Sequence, residues 1–256
     1  MPDFDHVADE YDRIAGDYKE SKLLPFRLHV EEYTTFKLLP DLSGRSVVDL
    51  ACGEGIYTRK LMRRGAAKVV GVDISPEMIA LARQAEASVP IGVEYVRADV
   101  ATVDLDQAFD VAFCSYLFNY ARSRDELQAL VANVGHLLRP GGLLVGCNDY
   151  PDNPPAHYDR YRPYGFVKTG PAEPAEGSTI RYRFFNPDGT EFELDNYYVS
   201  TDAYRGTFAA AGFTSFDWIM PEVSPEGRAA FAPGYWDAFL ESPPIASLTA
   251  TAGQLA

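Results

Sequence analysis

The most constraining feature of the sequence is the alternation of short apolar runs with helical stretches between Arg45 and about Cys147. Runs this short and this apolar are typical of strands that are covered on both faces of a parallel sheet. The pattern therefore predicts a doubly wound α/β domain, and 256 residues suffice for one such domain with a modest elaboration. The predicted strands are Ser46–Leu50, Lys68–Asp73, Gly92–Ala98, Phe109–Cys114 and Leu143–Cys147.

Capping signals mark the helices between these strands. Ser75 places a capping hydroxyl before Pro76, which stands at the first helical position, where its missing N–H costs nothing. Ser123 and Glu126 form a capping box ahead of an amphipathic run. The segment 139–142, Arg-Pro-Gly-Gly, is expected to end that helix and lead into the next strand.

The regions that flank the alternating core have a different character. Residues 6–39 predict two helices, the second opened by Pro25. The segment 186–189, Asn-Pro-Asp-Gly, predicts a hairpin turn between two strands of alternating polarity. After a predicted helix over Thr201–Ala211 and a last strand around Phe213–Met220, we expect the final dozen small and polar residues to be disordered.

Composition disfavours several classes of partner. Lysine and arginine number 23 against 37 aspartate and glutamate residues, and the net charge of −14 disfavours nucleic-acid binding. No apolar run approaches the length of about 18–20 residues that spans a bilayer, and the acidic start MPDFDHVADE does not resemble a secretion signal. Cys52, Cys114 and Cys147 lack zinc-like spacing and suit a reducing compartment, so a cytoplasmic protein is expected.

The strongest functional signal is a glycine-containing turn between the first strand and the first helix. Gly53 and Gly55 let the backbone turn tightly and let a ligand approach it, and the helix start offers free N–H donors. The G-x-G-x-x-G pattern of dinucleotide-binding folds fails at its third position, Thr58. Asp49 at the strand end would repel a pyrophosphate but would favour a ligand with positive charge. A glycine pair alone is equally compatible with an ordinary strand–helix turn.

Two further acidic residues follow the next two predicted strands. Asp73 ends the second strand, where a carboxylate can accept hydrogen bonds from both hydroxyls of a ribose. Asp99 follows the third strand, where a carboxylate could accept one from an adenine amine. Each acid alone is explained as well by a helix cap or a solvated loop. Three acids at three successive strand ends, beside a glycine turn, predict a ligand-binding crevice at the carboxyl edge of the sheet.

With these motifs the sequence resembles the class I S-adenosylmethionine-dependent methyltransferases over about residues 7–150. Asp49-x-Ala51-x-Gly53-x-Gly55 matches the first motif of that family, with alanine in place of its first glycine. The resemblance implies S-adenosylmethionine as the cofactor and S-adenosylhomocysteine as its product. It also implies an N-terminal helix that closes over the cofactor, with Tyr18 reaching the methionine carboxylate. The implied cofactor-binding residues are Tyr11, Tyr18, Asp49, Ala51, Gly53, Gly55, Asp73, Ile74, Met78, Asp99, Val100 and Ser115.

The same resemblance implies a fold and a domain layout. We expect a Rossmann-like α/β fold with a mostly parallel seven-stranded sheet, helices on both faces, an N-terminal helical lid and a small antiparallel insertion after the fifth strand. A single methyltransferase domain would cover residues 1–256. Its parts would be the helical lid at 1–44, the cofactor-binding core at 45–150, the substrate-side insertion at 151–200, and the last helix, last strand and C-terminal tail at 201–256.

A narrower likeness is to the toxoflavin-synthase-type methyltransferases of bacterial secondary metabolism, which methylate ring nitrogens of small heterocycles. It is carried by the segments 18–22 (YKESK), 25–27 (PFR), 29–34 (HVEEYT), 49–55 (DLACGEG) and 116–120 (YLFNY). This likeness implies N-methylation of a small aromatic or heterocyclic metabolite, for example in antibiotic biosynthesis. C-methylation of an indole-like ring, O-methylation and a non-catalytic cofactor-binding subunit remain alternatives, and Thr58 disfavours a nicotinamide dehydrogenase.

Candidate residues for catalysis and substrate binding lie in three segments. His29 lies one helical turn before Tyr33 and is the candidate general base, although a surface or core histidine fits equally well. The resemblance implies that the loop after the fourth strand points at the transferred methyl group, and the tyrosine-rich insertion around residues 150–164 would roof an aromatic substrate. The candidate catalytic residues are His29, Tyr18, Asn119 and Tyr120, and the candidate substrate-binding residues are Tyr33, Tyr116, Asn119, Tyr120, His157 and Tyr158.

A metal site is not expected near the fourth strand. Metal-assisted methylation of a catechol would need clustered acids there, and Asp110 is the only acid in that part of the sequence before Asp125. The expected partner is therefore a small molecule alone, without nucleic acid or membrane, and the protein is expected to be a monomer or a homodimer.

Overall fold

The apolar runs of the sequence form the strands of one large sheet. The computed structural model describes Phe4, residues 6–8 and residues 20–253. Within these residues one sheet has seven strands and a second, antiparallel sheet has three. The strands are β1 Ser46–Leu50, β2 Lys68–Asp73, β3 Glu94–Arg97, β4 Phe109–Ser115, β5 Leu138–Asp149, β6 Phe166–Thr169, β7 Thr179–Phe185, β8 Glu191–Tyr197, β9 Phe213–Ile219 and β10 Ile245–Ala252.

The large sheet has the order β3-β2-β1-β4-β5-β10-β9, and its first five strands run parallel. The predicted α/β fold with a mostly parallel seven-stranded sheet is confirmed. The strand order reverses between β1 and β4, so the connections that follow these two strands diverge and leave a crevice at their carboxyl ends. Val48 of β1 packs in a core on one face of the sheet and Val47 packs in a core on the other, which explains the uninterrupted apolar runs.

The helices begin where the capping signals place them. Ser75 Oγ accepts a hydrogen bond from the Met78 N–H at 3.1 Å, and Ser123 Oγ accepts one from the Glu126 N–H at 3.2 Å. No helix of the described residues is long and apolar enough to cross a membrane. A π-helical turn Arg27–Glu32 leads directly into α1 Tyr33–Lys37, and the further helices are α2 Ile56–Arg63, α3 Pro76–Ser88, α4 Arg124–Leu137, α5 Thr201–Ala210, α6 Pro225–Ala230 and α7 Asp237–Glu241.

The predicted stop at residues 139–142 ends helix α4 but does not form a separate loop. Strand β5 begins at once, at Leu138, because the extended backbone there already pairs with Phe109 of β4. Gly141 has φ of +76° within this irregular start of the strand. The long strand carries the chain to Asp149, at the same edge of the sheet as the crevice.

The expectation of a disordered C-terminal end is wrong for the residues that the structure describes. Ile245–Ala252 forms β10, which pairs antiparallel with β5 on one side and β9 on the other. Its small and polar residues conceal the strand in the sequence, but Leu248 and Ala250 are fully buried. The hydroxyl of Ser247 lies 2.8 Å from that of Thr35, so its polarity is also accommodated. Pairing on both sides has outweighed the weak local strand signal.

The predicted hairpin forms the centre of the small antiparallel sheet, β6-β7-β8. Gly189 has φ of +89° in the turn between β7 and β8, as the Asn-Pro-Asp-Gly segment requires. The Asn119 Nδ2 donates a hydrogen bond to Asn196 of β8 at 2.9 Å, and the Tyr182 hydroxyl of β7 donates one to Asp149 at 2.5 Å. These contacts fix the small sheet over the carboxyl ends of β4 and β5, beside the crevice.

Candidate functional site

A cavity of about 850 Å³ occupies the crevice at the carboxyl ends of β1, β2, β3 and β4. The predicted cofactor-binding residues among those lining it are Asp49, Ala51, Gly53, Asp73, Ile74, Asp99, Val100 and Ser115. Gly55 and Met78 are described but do not line this cavity. Tyr11 and Tyr18 lie outside the described residues. The three strand-end acids therefore converge on one cavity.

Asp49 is a buried acid whose hydrogen-bond partner is supplied by helix α2. Its side chain is almost completely buried, and the Thr58 hydroxyl donates a hydrogen bond to it at 2.6 Å. Burial raises the pKa of Asp49 to about 7, and the nearby Asp73 carboxylate adds to the rise while Thr58 and the Lys22 charge oppose it. Thr58, which breaks the dinucleotide-binding pattern, is thus the hydrogen-bond donor that stabilises the buried Asp49 side chain.

The two glycines of the turn serve different purposes. The Gly53 N–H donates a hydrogen bond to Asp73 at 2.7 Å, and a Cβ on Gly53 would meet no protein atom within 4 Å. A Cβ on Gly55, where φ is +81°, would collide with the Tyr95 hydroxyl. Gly55 is therefore required by packing against Tyr95, and its direct contact with the cofactor stays a prediction. Gly53 leaves an open backbone face on the cavity, as close approach of a ligand needs.

Asp73 and Asp99 hold the local backbone as well as facing the cavity. Asp73 accepts a hydrogen bond from the Ser75 N–H at 2.9 Å, and Asp99 accepts one from the Ala101 N–H at 2.8 Å. Each acid therefore stabilises the local backbone, as the structural explanation holds. A carboxylate has about four lone-pair sites, so each acid can still accept hydrogen bonds from a ligand. Ala51 has φ of +58°, a left-handed conformation that glycine adopts without strain.

A second, smaller cavity of about 330 Å³ adjoins the first. Tyr116 and Tyr120 line both cavities and form the wall between them. Tyr116 has φ of +63°, a strained backbone conformation for a bulky residue, and its N–H donates a hydrogen bond to the Cys147 carbonyl at 2.8 Å. Strain of this kind occurs where the surrounding structure fixes a side chain for a function.

Glu31 is the central residue of this wall, and analysis of the sequence missed it. Its carboxylate is 1% exposed and accepts hydrogen bonds from Arg27 at 2.8 Å and from the hydroxyls of Tyr57 and Tyr116 at 2.7 Å each. The Ser115 hydroxyl donates a further hydrogen bond to it at 3.3 Å. Burial alone would raise the pKa of Glu31, but the positive charge of Arg27, with further help from Lys22 and the two tyrosines, outweighs this effect and lowers it.

Glu31 joins residues from the walls of both cavities. Tyr57 and Ser115 line the first cavity, Arg27 lines the second and Tyr116 lines both. The available sequence signal was the i,i+4 spacing of Arg27 and Glu31, which is also the spacing of ordinary surface ion pairs.

The structure places several predicted substrate-side residues elsewhere. His29 Nδ1 lies 3.2 Å from the Ser224 hydroxyl, and His29 and Tyr33 face a groove beside helix α1 rather than either cavity. His157 Nδ1 lies 2.8 Å from the Ser242 hydroxyl, where it joins a hydrogen-bond network under the small sheet. His29, Tyr33 and His157 therefore do not line either cavity, and their roles as general base and substrate-binding residues stay predictions.

Three further candidates have structural surroundings of their own. Asn119 and Tyr158 line a small polar cavity behind Asn196, separate from the two described above. Met78 is buried in the core that also contains Leu24 and Phe26. Asn119, Tyr158 and Met78 therefore lie behind the walls of the two cavities, and their direct contact with a ligand stays a prediction. Among the described residues, no group of three or more potential ligands could hold a metal ion.

Comparison with known proteins agrees with this geometry. Residues 47–142 match the protein family described as a methyltransferase domain. A ubiquinone biosynthesis O-methyltransferase of Coxiella burnetii is 30% identical over 144 residues, which are 55% of this chain and 57% of that protein. A dTDP-4-amino-2,3,4,6-tetradeoxy-D-glucose N,N-dimethyltransferase of Saccharopolyspora spinosa is 28% identical over 208 residues, which are 73% of this chain and 77% of that protein.

The chain spans little more than half the length of several curated relatives that it matches. Among solved structures, an S-adenosylmethionine-dependent methyltransferase from Mesorhizobium loti is similar with a TM-score of 0.61 and 21% identity, covering 90% of this chain and 99% of that one. This likeness shows the fold. Residues 47–142 are therefore similar to a methyltransferase domain, and the chain has the fold of S-adenosylmethionine-dependent methyltransferases.

Proposed function

We propose that the protein transfers a methyl group from S-adenosylmethionine to a nitrogen of a small aromatic or heterocyclic molecule. The observation that carries the proposal is the convergence of Asp49, Asp73 and Asp99 on one cavity beside the open backbone of Gly53. Acids at successive strand ends suit a nucleoside that also bears positive charge, because they can accept its hydrogen bonds and balance its charge.

In this proposal each lining residue binds a different part of the cofactor. Asp73 accepts hydrogen bonds from the ribose hydroxyls, while Asp99 accepts one from the adenine amine. Ile74 and Val100 provide apolar contacts for the faces of the purine. Asp49, the most deeply buried of the three strand-end acids, balances the positive charge of the amino-acid part of the cofactor.

The remaining task of the chain is alignment. When bound, S-adenosylmethionine supplies an electrophilic methyl group, and its positive charge disperses during transfer. Tyr120 presents an aromatic side chain on the wall between the two cavities, where it is compatible with that charge, whereas the ring of Tyr116 already contacts the Arg27 guanidinium. A pyridine-type ring nitrogen already carries a free lone pair and loses no proton on methylation, so positioning and exclusion of water suffice without a general base. In keeping with this, no histidine of the described residues lines either cavity.

Nitrogen is the acceptor that we favour, and oxygen is the second candidate. The relative from Saccharopolyspora spinosa is by its name an N,N-dimethyltransferase, and its match covers 73% of this chain. The relative from Coxiella burnetii is by its name an O-methyltransferase and supports the alternative over 55% of the chain. Transfer to a phenol oxygen would require loss of a proton, for which the wall between the cavities offers no histidine.

Titration calorimetry with S-adenosylmethionine and S-adenosylhomocysteine tests the proposal. We expect both to bind, and we expect Asp73→Asn and Asp99→Asn to weaken binding by about 10-fold to 100-fold, since each replaces charge-assisted hydrogen bonds of about 1.5–3 kcal/mol. Asp217→Asn, at an exposed acid on β9, is the matched control and should bind like the wild type. Absence of binding by the wild type, or unchanged binding by both cavity variants, would overturn the cofactor assignment.

Turnover is tested by incubating the protein with S-adenosylmethionine and a panel of heterocycles, anilines and phenols, and by detecting methylated products by mass spectrometry. We expect methylated ring nitrogens. Products methylated only at phenols would favour the O-methyltransferase alternative. Tight cofactor binding without any methylated product would favour a non-catalytic cofactor-binding subunit.

A further inference from the structure

The second cavity has a wall composed mainly of buried aromatic rings. Besides the rings it is lined by Arg27, Leu194, Asn196 and Ile245. These residues come from the π-helical turn, the small antiparallel sheet and strand β10. The five rings belong to Phe26, Tyr116, Tyr120, Tyr182 and Phe184.

Buried cations already contact four of these five rings. The Arg27 guanidinium lies 4.9 Å from the ring centroid of Tyr116, 5.1 Å from that of Phe26 and 5.6 Å from that of Phe184. The Lys168 ammonium lies 5.1 Å from the ring centroid of Tyr182. Aromatic faces attract cations, and the faces of these four rings already interact with Arg27 and Lys168.

Each of these cations is paired with a carboxylate that also accepts a hydrogen bond from one of the tyrosines. Arg27 pairs with Glu31, which accepts a hydrogen bond from the Tyr116 hydroxyl. Lys168 pairs with Asp149 at 2.7 Å, and Asp149 accepts a hydrogen bond from the Tyr182 hydroxyl. The two pairs are electrically balanced as they stand. A further cation in the cavity would be desolvated without an uncompensated negative charge to pair with, which makes its binding costly.

We propose that this second cavity binds the methyl acceptor as a planar system of one or two rings that is neutral or anionic, and that it rejects cationic amines. The proposal rests on the proposed function, because Tyr116 and Tyr120 form the wall shared with the cofactor cavity. The five rings bound the cavity closely, so the acceptor is small. Stacked and edge-on rings complement a flat molecule better than a sugar.

A matched set of three indoles tests the charge selection directly. Indole-3-carboxylate is anionic, indole-3-carboxamide is neutral and tryptamine is cationic, while all three carry the same ring system. Binding is measured by calorimetry in the presence of saturating S-adenosylhomocysteine, with glucosamine as a non-planar amine. We expect the carboxylate and the carboxamide to bind at least about tenfold more tightly than tryptamine or glucosamine, a difference of about 1.4 kcal/mol or more.

Two variants connect that binding to the cavity. Leu194→Phe adds volume inside the cavity and should abolish indole binding, whereas Leu240→Phe, outside the cavity lining, should not. The double variant Arg27→Met with Glu31→Gln removes one charge pair together and should reduce the discrimination against tryptamine at least threefold. If either variant fails to fold, the other still reports on the cavity, and the charge series on the wild type is independent of both.

The outcomes separate this proposal from the function on which it rests. Binding of S-adenosylhomocysteine with no indole bound, with tryptamine bound best, or with Leu194→Phe binding indole like the wild type would overturn the acceptor assignment and leave the cofactor assignment standing. Failure of S-adenosylhomocysteine itself to bind would instead overturn the proposed function.

Discussion

The two cavities that meet at Tyr116 are built in different ways. The first takes its acids and its open glycine from the ends of successive strands, all between residues 49 and 100. The second brings together residues 26 and 27, 116 and 120, 182 to 196, and 245. Short motifs therefore specify the first cavity, whereas the second depends on packing between segments that are distant in the chain. Glu31 connects the two, and it provides the most severe test of the comparison.

The largest effect is expected from Glu31→Gln. The variant keeps the size of the side chain but leaves the buried charge of Arg27 without its carboxylate, which we expect to cost about 3–5 kcal/mol of unfolding free energy. Because Glu31 also fixes Tyr57 and Tyr116, the affinity for S-adenosylhomocysteine should fall in the same variant. Denaturant unfolding and calorimetry measure the two effects.

The matched control for Glu31→Gln is Glu222→Gln. Glu222 forms an ion pair with Lys37 at 2.7 Å, but both side chains are about half exposed, with 51% and 53% of their surface accessible. Its loss should have little effect on the free energy of unfolding, because solvent screens an exposed ion pair. Equal effects of the two substitutions would mean that Glu31 does not join the two cavities in the way that its contacts indicate.

The extent of successful prediction follows the same division. The five parallel strands and the acids at Asp49, Asp73 and Asp99 were accessible because local periodicity and strand-end position determine them. Glu31 was not, since four partners from separate elements give it its importance. Strand β10 was missed for a related reason. Its small residues give a weak strand signal, and the strand is stabilised by pairing with β5 and β9, which lie far from it in the sequence or are not recognisable as its partners.

The next largest effect separates the two glycines of the turn. Gly55→Ala should cost about 2–4 kcal/mol of unfolding free energy, because the new Cβ meets the Tyr95 side chain and φ is left-handed. Gly53→Ala should cost only about 1–2 kcal/mol, since it meets left-handed strain alone, but it should weaken cofactor binding at least about tenfold. Thermal unfolding and calorimetry on both variants give the comparison.

The opposite pattern, with Gly53→Ala the less stable protein and Gly55→Ala the weaker binder, would show that Gly55 and not Gly53 provides the open face. A Gly55→Ala variant that is as stable as the wild type would contradict the packing argument for Tyr95 directly.

An intermediate effect is expected from pH, because the pKa of Asp49 is raised to about 7 by burial and by the Asp73 carboxylate. The stability contributed by protonated Asp49 is present below about pH 4 and lost as the pH rises through about 7. A cofactor that brings positive charge favours the ionised carboxylate. Its affinity should therefore rise about tenfold between about pH 6 and pH 8, with release of a proton.

Calorimetry in buffers of different ionisation enthalpy measures both the affinity and the released proton. Asp49→Asn is the control, because it keeps the shape of the side chain but cannot titrate. It should remove most of the pH dependence. A wild-type affinity that does not change across this range, or falls as the pH rises, would show that Asp49 does not balance the charge of the cofactor.

The smallest effect is expected from His29→Ala. This substitution distinguishes a reaction that uses His29 as the general base from one that takes place at the second cavity without it. A general base contributes about 100-fold to 10,000-fold to turnover, so its loss would be unmistakable. Here His29 contacts Ser224 at 3.2 Å and packs near Phe231 and Trp236, outside both cavities. We expect turnover within about twofold of the wild type and a loss of about 0.5–1.5 kcal/mol of unfolding free energy. A fall of about 100-fold in kcat, with loss of the acidic limb of the pH–rate profile, would restore the base predicted from helical spacing and displace the acceptor cavity as the centre of the chemistry.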